Sequence, residues 1–152
     1  MQLEIVIPGP PQAKMRHRLA KKTMHHYDPN IENEDRAIAH IRFVTKDHVP
    51  FIGALRVDEM VFVFARPKGH FGTGKNAGKL KPSAPEYCTD SKDVDNMEKF
   101  YFDAMNCVVY VDDRQIVKVK DKEKRFAAPG ETPHVRIAIT PLEPQREGIT
   151  CL

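Results

Sequence analysis

The chain has 152 residues, of which 41% are hydrophobic and 30% are charged, and its formal net charge is +3. This length fits a single domain, and the mixed signs of the charges argue against extensive disorder. Three scattered cysteines without a Cys-x-x-Cys pair disfavour a zinc ribbon and predict reduced thiols.

The N-terminal residues lack the basic region and the long apolar region of a signal peptide. No apolar run approaches the ~20 residues that are needed to cross a bilayer. We therefore expect a soluble, intracellular protein. We expect neither secretion nor a membrane partner.

The chain is predicted to open with a strand, because Leu3, Ile5 and Ile7 alternate with other residues and form one apolar face. Prolines within residues 8–11 end this strand. The next segment, residues 12–22, has five Lys or Arg residues and no acid. We interpret it as an arm that contacts phosphate groups, with a solvated basic loop as the alternative. Its candidate phosphate-contacting residues are Lys14, Arg16 and Arg18.

A helix is predicted over residues 31–46, where apolar residues recur every three or four positions. Acidic residues near its start and Lys46 near its end suit the helix dipole. Pro50 and Gly53 then interrupt the chain. Residues 55–65 are predicted to form an apolar strand that is covered on both faces.

Residues 66–92 form a long, irregular stretch rich in Gly and Pro, with six Lys or Arg residues against two acids, a net charge of +4. A loop of this length in a small domain is usually functional or disordered. We predict a mobile basic loop that becomes ordered on a polyanion. Its candidate polyanion-contacting residues are Arg66, Lys68, Lys75, Lys79 and Lys81.

The remainder of the chain is predicted to contain one helix and two strands. The helix begins at Ser91 or Asp93 and continues to about Asn106. Strands follow over residues 115–124, which have a heavily charged outer face, and over residues 134–140.

These elements predict an α+β fold, with a small mixed sheet of about four to five strands and two helices packed on one face. The sequence shows no internal repeat and no second domain. Residues 1–152 are therefore expected to form one domain, whose tail from about residue 142 is poorly ordered.

Residues 93–113, the acidic segment, differ in charge from the rest of this basic chain. They include six acids and one base, a net charge of −5, so the remaining residues carry +8. Like charges that a fold brings together repel each other, and a bound cation relieves that repulsion. A basic frame attracts phosphate. The combination indicates metal-assisted chemistry on nucleic acid.

Three carboxylates of the acidic segment are the candidate metal ligands. Asp93 and Asp95 stand two residues apart at the predicted helix start, and Asp113 precedes the next strand. If that strand packs beside the helix start, the three carboxylates converge, and two or three of them with water suffice for Mg²⁺. Lys99, one turn beyond Asp95, can stabilise charge on a phosphate. Taken singly, each residue also has a structural interpretation as a helix cap, a turn or an ion pair.

The acidic segment contains a longer motif. It reads Asp-x-Asp-Asn-x-x-Lys-x3-Asp-Ala-Met-Asn over residues 93–106 and Asp-Asp-x-Gln-Ile over residues 112–116. This motif and its spacing closely resemble the signature of RusA-type Holliday-junction resolvases, and residues 7–11 look like the opening of their phage-borne members. The resemblance covers about residues 3–140. One departure is Ser91-Lys92, where the family usually has Lys-Pro.

The resemblance implies a homodimer that binds branched double-stranded DNA and nicks two opposed strands of a four-way junction. It implies Mg²⁺ as the cofactor, with Mn²⁺ as a substitute. By the matching motif positions, the catalytic and metal-binding acids are Asp93, Asp95 and Asp113, and the catalytic lysine is Lys99. The expected activity is that of a crossover junction endodeoxyribonuclease in DNA recombination and repair.

Three alternatives stay open from the sequence. The protein could bind branched DNA without cutting it, although a module that only binds a polyanion gains nothing from an acidic segment. It could be a related nuclease that acts on flaps, forks or RNA, because charge reads backbone and shape rather than a particular branch. A histidine-metal nuclease is disfavoured, because His25 and His26 are adjacent and the other histidines are dispersed.

Overall fold

The computed structural model describes residues 1–15, 31–90 and 92–145, together with the backbone of residues 18–19 and 26–27. Six strands and two helices are assigned within these residues: β1 Leu3–Pro8, β2 Arg18–Leu19, β3 His26–Tyr27, α1 Ile31–Val44, β4 Leu55–Phe64, α2 Val94–Met105, β5 Ile116–Phe126 and β6 His134–Pro141. Three short 3₁₀ helices lie at Lys68–His70, Gly74–Asn76 and Asp113–Gln115.

Four of the strands form the main sheet, in the order β1-β6-β4-β5. β1 and β4 are both antiparallel to β6, whereas β4 and β5 are parallel, so the sheet is mixed. The predicted α+β fold with a mixed sheet and two helices is confirmed. The two-residue strands β2 and β3 pair with each other and were not predicted.

The parallel pair β4 and β5 determines where α2 lies. Parallel neighbours need a crossover connection between them. Here residues 65–93 and α2 form that crossover. The strands pair from Leu55 beside Ile116 to Phe64 beside Phe126, with one shift of register between Leu55 and Arg56. Helix α2 therefore returns the chain from the end of β4 towards the start of β5.

Both helices pack on one face of the sheet, as predicted. The buried core on this face includes Ala37 and Ile41 from α1, and five residues of α2. These five are Met97, Phe100, Tyr101, Ala104 and Met105. Burying a large apolar side chain contributes roughly 1.5–3 kcal/mol, so this stripe fixes which face of α2 is left exposed.

The opposite face of the sheet is only partly covered. Val61 and Val63 of β4 form a small second cluster with Ala127. Near the start of β4, Arg56 and Thr140 donate hydrogen bonds to the carboxylate of Asp58. The prediction of a strand covered on both faces therefore holds for the end of β4 and not for its start.

The segment from residue 66 to residue 90 packs against the end of β5. The backbone N–H of Cys88 donates to Lys124 O at 3.2 Å, and that of Phe126 donates to Glu86 O at 2.9 Å. Arg66 Nε donates to Ala127 O at 2.7 Å. The described loop is irregular, as predicted, and these contacts attach it to the sheet.

The described end of the chain also pairs with the domain. The backbone N–H of Leu142 donates to Ala54 O, and the side chain of Gln145 both accepts from and donates to the backbone of Ile52. The rest of the predicted tail lies outside the described residues. Neither helix in the described part of the chain has the length and apolar composition that a membrane crossing requires.

Candidate active site

Asp93 occupies the N-cap position of α2 with an extended backbone, and its exposed carboxylate makes no capping hydrogen bond. Its carbonyl oxygen accepts from Met97 N at 3.1 Å, which starts the helix. One polar contact, from Asn96 Nδ2 at 3.5 Å, reaches the carboxylate. Asp93 is therefore the N-cap by position, as predicted, but its carboxylate does not act as a capping group and its side chain is exposed.

The residues that precede and surround this helix start are held by the N-terminal segment. Lys14 N donates to Asn96 O at 2.9 Å, and Lys92 Nζ donates to Pro11 O at 2.8 Å. Burial lowers the pKa of Lys92. The Tyr101 hydroxyl accepts from Gln12 N at 3.0 Å, and burial raises the pKa of Tyr101 to about 12. Lys92 thus fixes the entry to α2 at the position where the family usually has a proline, while Ser91 lies outside the described residues.

Asp95 lies in the first turn of α2, and its side chain is 93% exposed. Lys122 Nζ of β5 stands 3.4 Å from Asp95 Oδ1 and 2.7 Å from Glu98 Oε2. The pKa of Lys122 is raised, mainly by its bond with Glu98, despite partial burial. Lys99 is exposed one turn beyond Asp95. Lys122 of the sheet is therefore in contact with Asp95, and Lys99 follows one turn further along the helix.

The charged side chains of β5 were predicted to point to an outer face, and for Lys122 this is wrong. Lys122 pairs in register with Met60, whose side chain belongs to the core beneath the helices. Paired residues of adjacent strands point to the same face. Sequence alternation alone cannot say which face that is, so Lys122 and its partner Glu98 were missed as neighbours of Asp95.

Asp113 begins the 3₁₀ helix Asp113–Gln115, where the chain enters β5. Asp112 caps this turn: its Oδ1 accepts from Arg114 N at 2.9 Å and from Arg114 Nε at 2.8 Å. The Gln115 amide accepts from Asp112 N and donates to the carbonyl oxygens of Phe51 and Gly53. Asp113 itself is half-buried. The turn is thus fixed to residues 51–53.

Tyr110 shows which part of α2 lies beside Asp113. Its hydroxyl donates to Phe102 O at 2.9 Å. The pKa of Tyr110 is raised first by burial and then by the negative charges of Asp113, Asp103 and Asp112. Asp113 therefore lies near the C-terminal half of α2, whereas Asp93 and Asp95 lie at its N-terminus.

The separation can be estimated along both elements. From Asp95 to Phe102 the helix rises about 10 Å, at 1.5 Å per residue. From Lys122, which touches Asp95, back to Ile116 the strand spans about 20 Å, at 3.3 Å per residue. Ligand oxygens of one Mg²⁺ lie within about 4 Å of each other, because each is about 2.1 Å from the ion. Among the described residues, no group of three or more His, Cys, Asp or Glu side chains is arranged to hold a metal ion.

The expected convergence of the three carboxylates therefore does not occur within one chain. The reason is topological: β5 starts beside the end of α2 and not beside its start. Asp93, Asp95 and Lys99 all belong to the start of α2, whereas Asp113 lies where the chain enters β5. The catalytic and metal-binding roles of these residues stay predictions.

Some predicted DNA contacts have structural partners. Lys14 Nζ bridges the two helices, at 3.0 Å from Glu34 and 3.2 Å from Asp103. The Arg66 guanidinium donates to two carbonyl oxygens and stands over the Phe126 ring.

The other predicted DNA contacts differ in exposure. Lys81 donates to Gly69 O at 2.9 Å. Lys68, Lys75 and Lys79 are exposed on the same loop. Arg16 and the side chain of Arg18 lie outside the described residues.

An exposed carboxylate pair beside lysines, on a small α+β frame, is typical of enzymes that cleave phosphodiester bonds with a metal ion. Comparison with protein families matches residues 8–140 to Endodeoxyribonuclease RusA. Since this match covers most of the chain, the protein belongs to the RusA family. It is a Holliday-junction endonuclease, as the sequence motif predicted, and branched DNA is its class of substrate. A search of curated proteins found none that matches the chain.

RusA-family nucleases depend in general on divalent metal ions. The start of α2 is compatible with such an ion. Asp93 and Asp95 supply exposed carboxylate oxygens, which are the ligands that Mg²⁺ prefers, and Mg²⁺ usually keeps several waters and binds one or two carboxylates together with substrate phosphate. Two carboxylates from one chain are therefore an adequate starting set.

Proposed function

We propose that the protein resolves four-way DNA junctions by paired, symmetric nicks that require Mg²⁺, with Mn²⁺ as a substitute, in DNA recombination and repair. The observation that supports this most is the exposed Asp93–Asp95 pair with Lys99 one turn away, in a chain of the RusA family. Such a role places the protein inside a cell or a virus-infected cell, where its DNA substrate is found.

In this proposal each residue of the helix start has one task. Asp93 and Asp95 hold the divalent ion, which when bound polarises the phosphodiester and lowers the pKa of a water. Asn96 orients the Asp93 carboxylate through its 3.5 Å contact. Lys99 stabilises the negative charge that develops on the phosphate. Buried apolar residues of α2 keep this exposed face fixed in direction.

Asp113 completes the site from a second copy of the chain. It lies beside the C-terminal half of α2, whereas Asp95 of the same chain lies at the N-terminus of this helix. Hydrogen bonds from Gln115 to the carbonyl oxygens of Phe51 and Gly53 fix the turn that carries Asp113. A homodimer with twofold symmetry can bring Asp113 of each copy to the helix start of the other. It also offers two equivalent sites for the two symmetry-related strands of a junction. We propose that homodimer as the active form.

The exposed loop lysines, with the basic residues of the segment 12–22, contact DNA phosphates. We expect Lys68, Lys75 and Lys79 changed together to Ala to lower the slope of log affinity against log salt by up to about 0.9 per lost phosphate contact. Measurement of junction affinity over a salt series checks this. A triple variant with the slope of the wild type would show that the loop is merely solvated.

The direct test of the function uses a synthetic four-way junction, with flap and fork substrates beside it, incubated with and without Mg²⁺. We expect symmetric, metal-dependent nicks in the junction. Asp95→Asn removes one metal-binding charge and should abolish the nicks while junction binding persists. Tight binding without cleavage under every metal condition would favour the binding-module alternative. Preferential cutting of flaps or forks would favour the related-nuclease alternative.

A further inference from the structure

Lys122 has no role in the function proposed above, yet its ammonium group forms an ion pair with the carboxylate of Asp95. Its Nζ is 3.4 Å from Asp95 Oδ1 and 2.7 Å from Glu98 Oε2. The three side chains differ greatly in exposure: 93% for Asp95, 30% for Lys122 and 20% for Glu98. The ammonium group of Lys122 is thus paired with a mostly buried carboxylate, that of Glu98, and with an exposed one, that of Asp95.

The anchoring pair connects two elements. Glu98 belongs to α2 and Lys122 to β5, and the register with Met60 puts Lys122 on the helix-covered face of the sheet. The ion pair between them is short, at 2.7 Å, and partly buried. It restrains a side chain that is otherwise flexible, so the ammonium is positioned before any substrate arrives.

We propose that Lys122 is a second phosphate-contacting lysine of the active site, held by Glu98 on the opposite flank of Asp95 from Lys99. The inference rests on the proposed function, since it takes Asp95 as part of the cleavage site. A phosphate oxygen that shares a divalent ion with an Asp95 oxygen lies about 3 Å from it, because adjacent ligands in octahedral geometry are separated by that distance. An ammonium 3.4 Å from Asp95 Oδ1 is within reach of that phosphate oxygen.

Two other interpretations of the same contacts make different predictions. Lys122 could serve only as a counter-ion of Asp95 in the absence of metal, and its removal would then tighten metal binding and leave cleavage unchanged. It could be a structural ion pair between α2 and β5. In that case Lys122→Met and Glu98→Gln would lower the melting temperature and the activity in parallel. Because both side chains are partly buried, either variant is expected to lower the melting temperature somewhat, so cleavage rates are compared at a temperature at which every variant is folded.

The experiment compares Lys122→Met, Lys122→Arg and Glu98→Gln with the wild type, and Lys118→Met serves as the matched control. Lys118 is exposed on the same strand and pairs with Arg56, away from the helix start. Four quantities are measured: the single-turnover cleavage rate with Mg²⁺, junction affinity with Ca²⁺ and without metal, Mn²⁺ affinity of the free protein, and melting temperature.

We expect Lys122→Met to slow cleavage by about 10- to 100-fold, the usual effect of one charge-assisted contact to a reacting phosphate. It should also reduce the gain in junction affinity that Ca²⁺ brings. Lys122→Arg should keep most of the cleavage rate, because it keeps the positive charge. The cleavage rate of Glu98→Gln should lie between those of Lys122→Met and Lys122→Arg. Lys118→Met should match the wild type.

Equal cleavage by Lys122→Met and Lys118→Met would overturn the proposal. So would tighter Mn²⁺ binding with an unchanged rate, or parallel losses of rate and melting temperature that Lys122→Arg does not rescue. If the wild type itself cuts no junction with any metal, the proposed function fails instead. In that case the gain in junction affinity on adding Ca²⁺, compared between the wild type and Lys122→Met, still tests whether Lys122 contacts the phosphate.

Discussion

The start of α2 and the turn at residues 112–115 both carry acids of the family motif. The two regions differ in how far neighbouring groups restrain their acidic side chains. At the helix start, Asp95 is 93% exposed and the Asp93 carboxylate receives one long contact from Asn96. At the turn, Arg114 satisfies the Asp112 carboxylate, and the Gln115 amide uses both its oxygen and its nitrogen.

In the proposed site, this difference separates the metal-binding carboxylates from the one that positions the turn. A carboxylate that must bind a metal ion needs accessible oxygens, as Asp93 and Asp95 have. A carboxylate whose oxygens already accept hydrogen bonds from Arg114 has less to offer, so Asp112 serves the turn. Asp113 has a fixed backbone and a half-buried side chain, which is compatible with the proposed role of a metal ligand supplied to a second copy of the chain.

The largest expected effect comes from replacing the acids of the turn, Asp112 and Asp113, one at a time. Asp113→Asn should slow junction cleavage by about 10³-fold or more, since a metal ligand supplies several kcal/mol of transition-state stabilisation. Asp112→Asn keeps a side-chain oxygen that can accept from Arg114 N, and we expect a loss below about 10-fold. Single-turnover rates with excess protein measure both. Equal losses in the two variants would contradict the division of roles.

The next effect concerns the amide that fixes the turn. Gln115→Ala removes three hydrogen bonds and leaves the carbonyl oxygens of Phe51 and Gly53 without that donor. We expect the free energy of unfolding to fall by about 1–3 kcal/mol. Asn96→Ala at the helix start removes only a 3.5 Å contact and should cost less than about 0.5 kcal/mol. Urea unfolding of both variants compares the two regions, and equal costs would contradict the comparison.

The smallest effect is a dependence on pH. The bonds from Arg114 hold the pKa of Asp112 at about 2, below its ordinary 3.8. A lowered carboxylate pKa means that the folded form stabilises the charged group, so the contribution is present above pH 3.8 and is lost as the pH falls through about 2. The difference in melting temperature between wild type and Asp112→Asn should therefore shrink over that interval. A constant difference would show that charge at Asp112 does not hold the turn.

Much of the fold followed from periodicity in the sequence. The apolar stripe of α2 predicted the helix to within about a residue, and alternation predicted β1 and β6. The short strands β2 and β3 carry too few residues for any period to show. The parallel pairing of β4 and β5 depends on contacts between residues about sixty apart, which local patterns do not report.

The site was predictable in its residue types and less so in its arrangement. The motif identified Asp93, Asp95 and Lys99, which the helix brings together because they are local in sequence. The position of Asp113 depends on the direction of the crossover, and the face on which Lys122 lies depends on its register with β4. The charge pattern also could not predict the contacts of Arg66. Its guanidinium donates hydrogen bonds to backbone carbonyl oxygens instead of remaining free to contact DNA.

We propose that two copies of the chain share each active site, and dimers mixed from two inactive variants test this proposal. Asp95→Asn and Asp113→Asn proteins, each inactive alone, are unfolded together, refolded as a mixture and assayed on a four-way junction. If sites are shared, the heterodimer contains one intact site, with Asp95 from one copy and Asp113 from the other. We predict restored nicking at one strand per junction. A mixture as inactive as its parents, with heterodimers shown to form, would contradict the account.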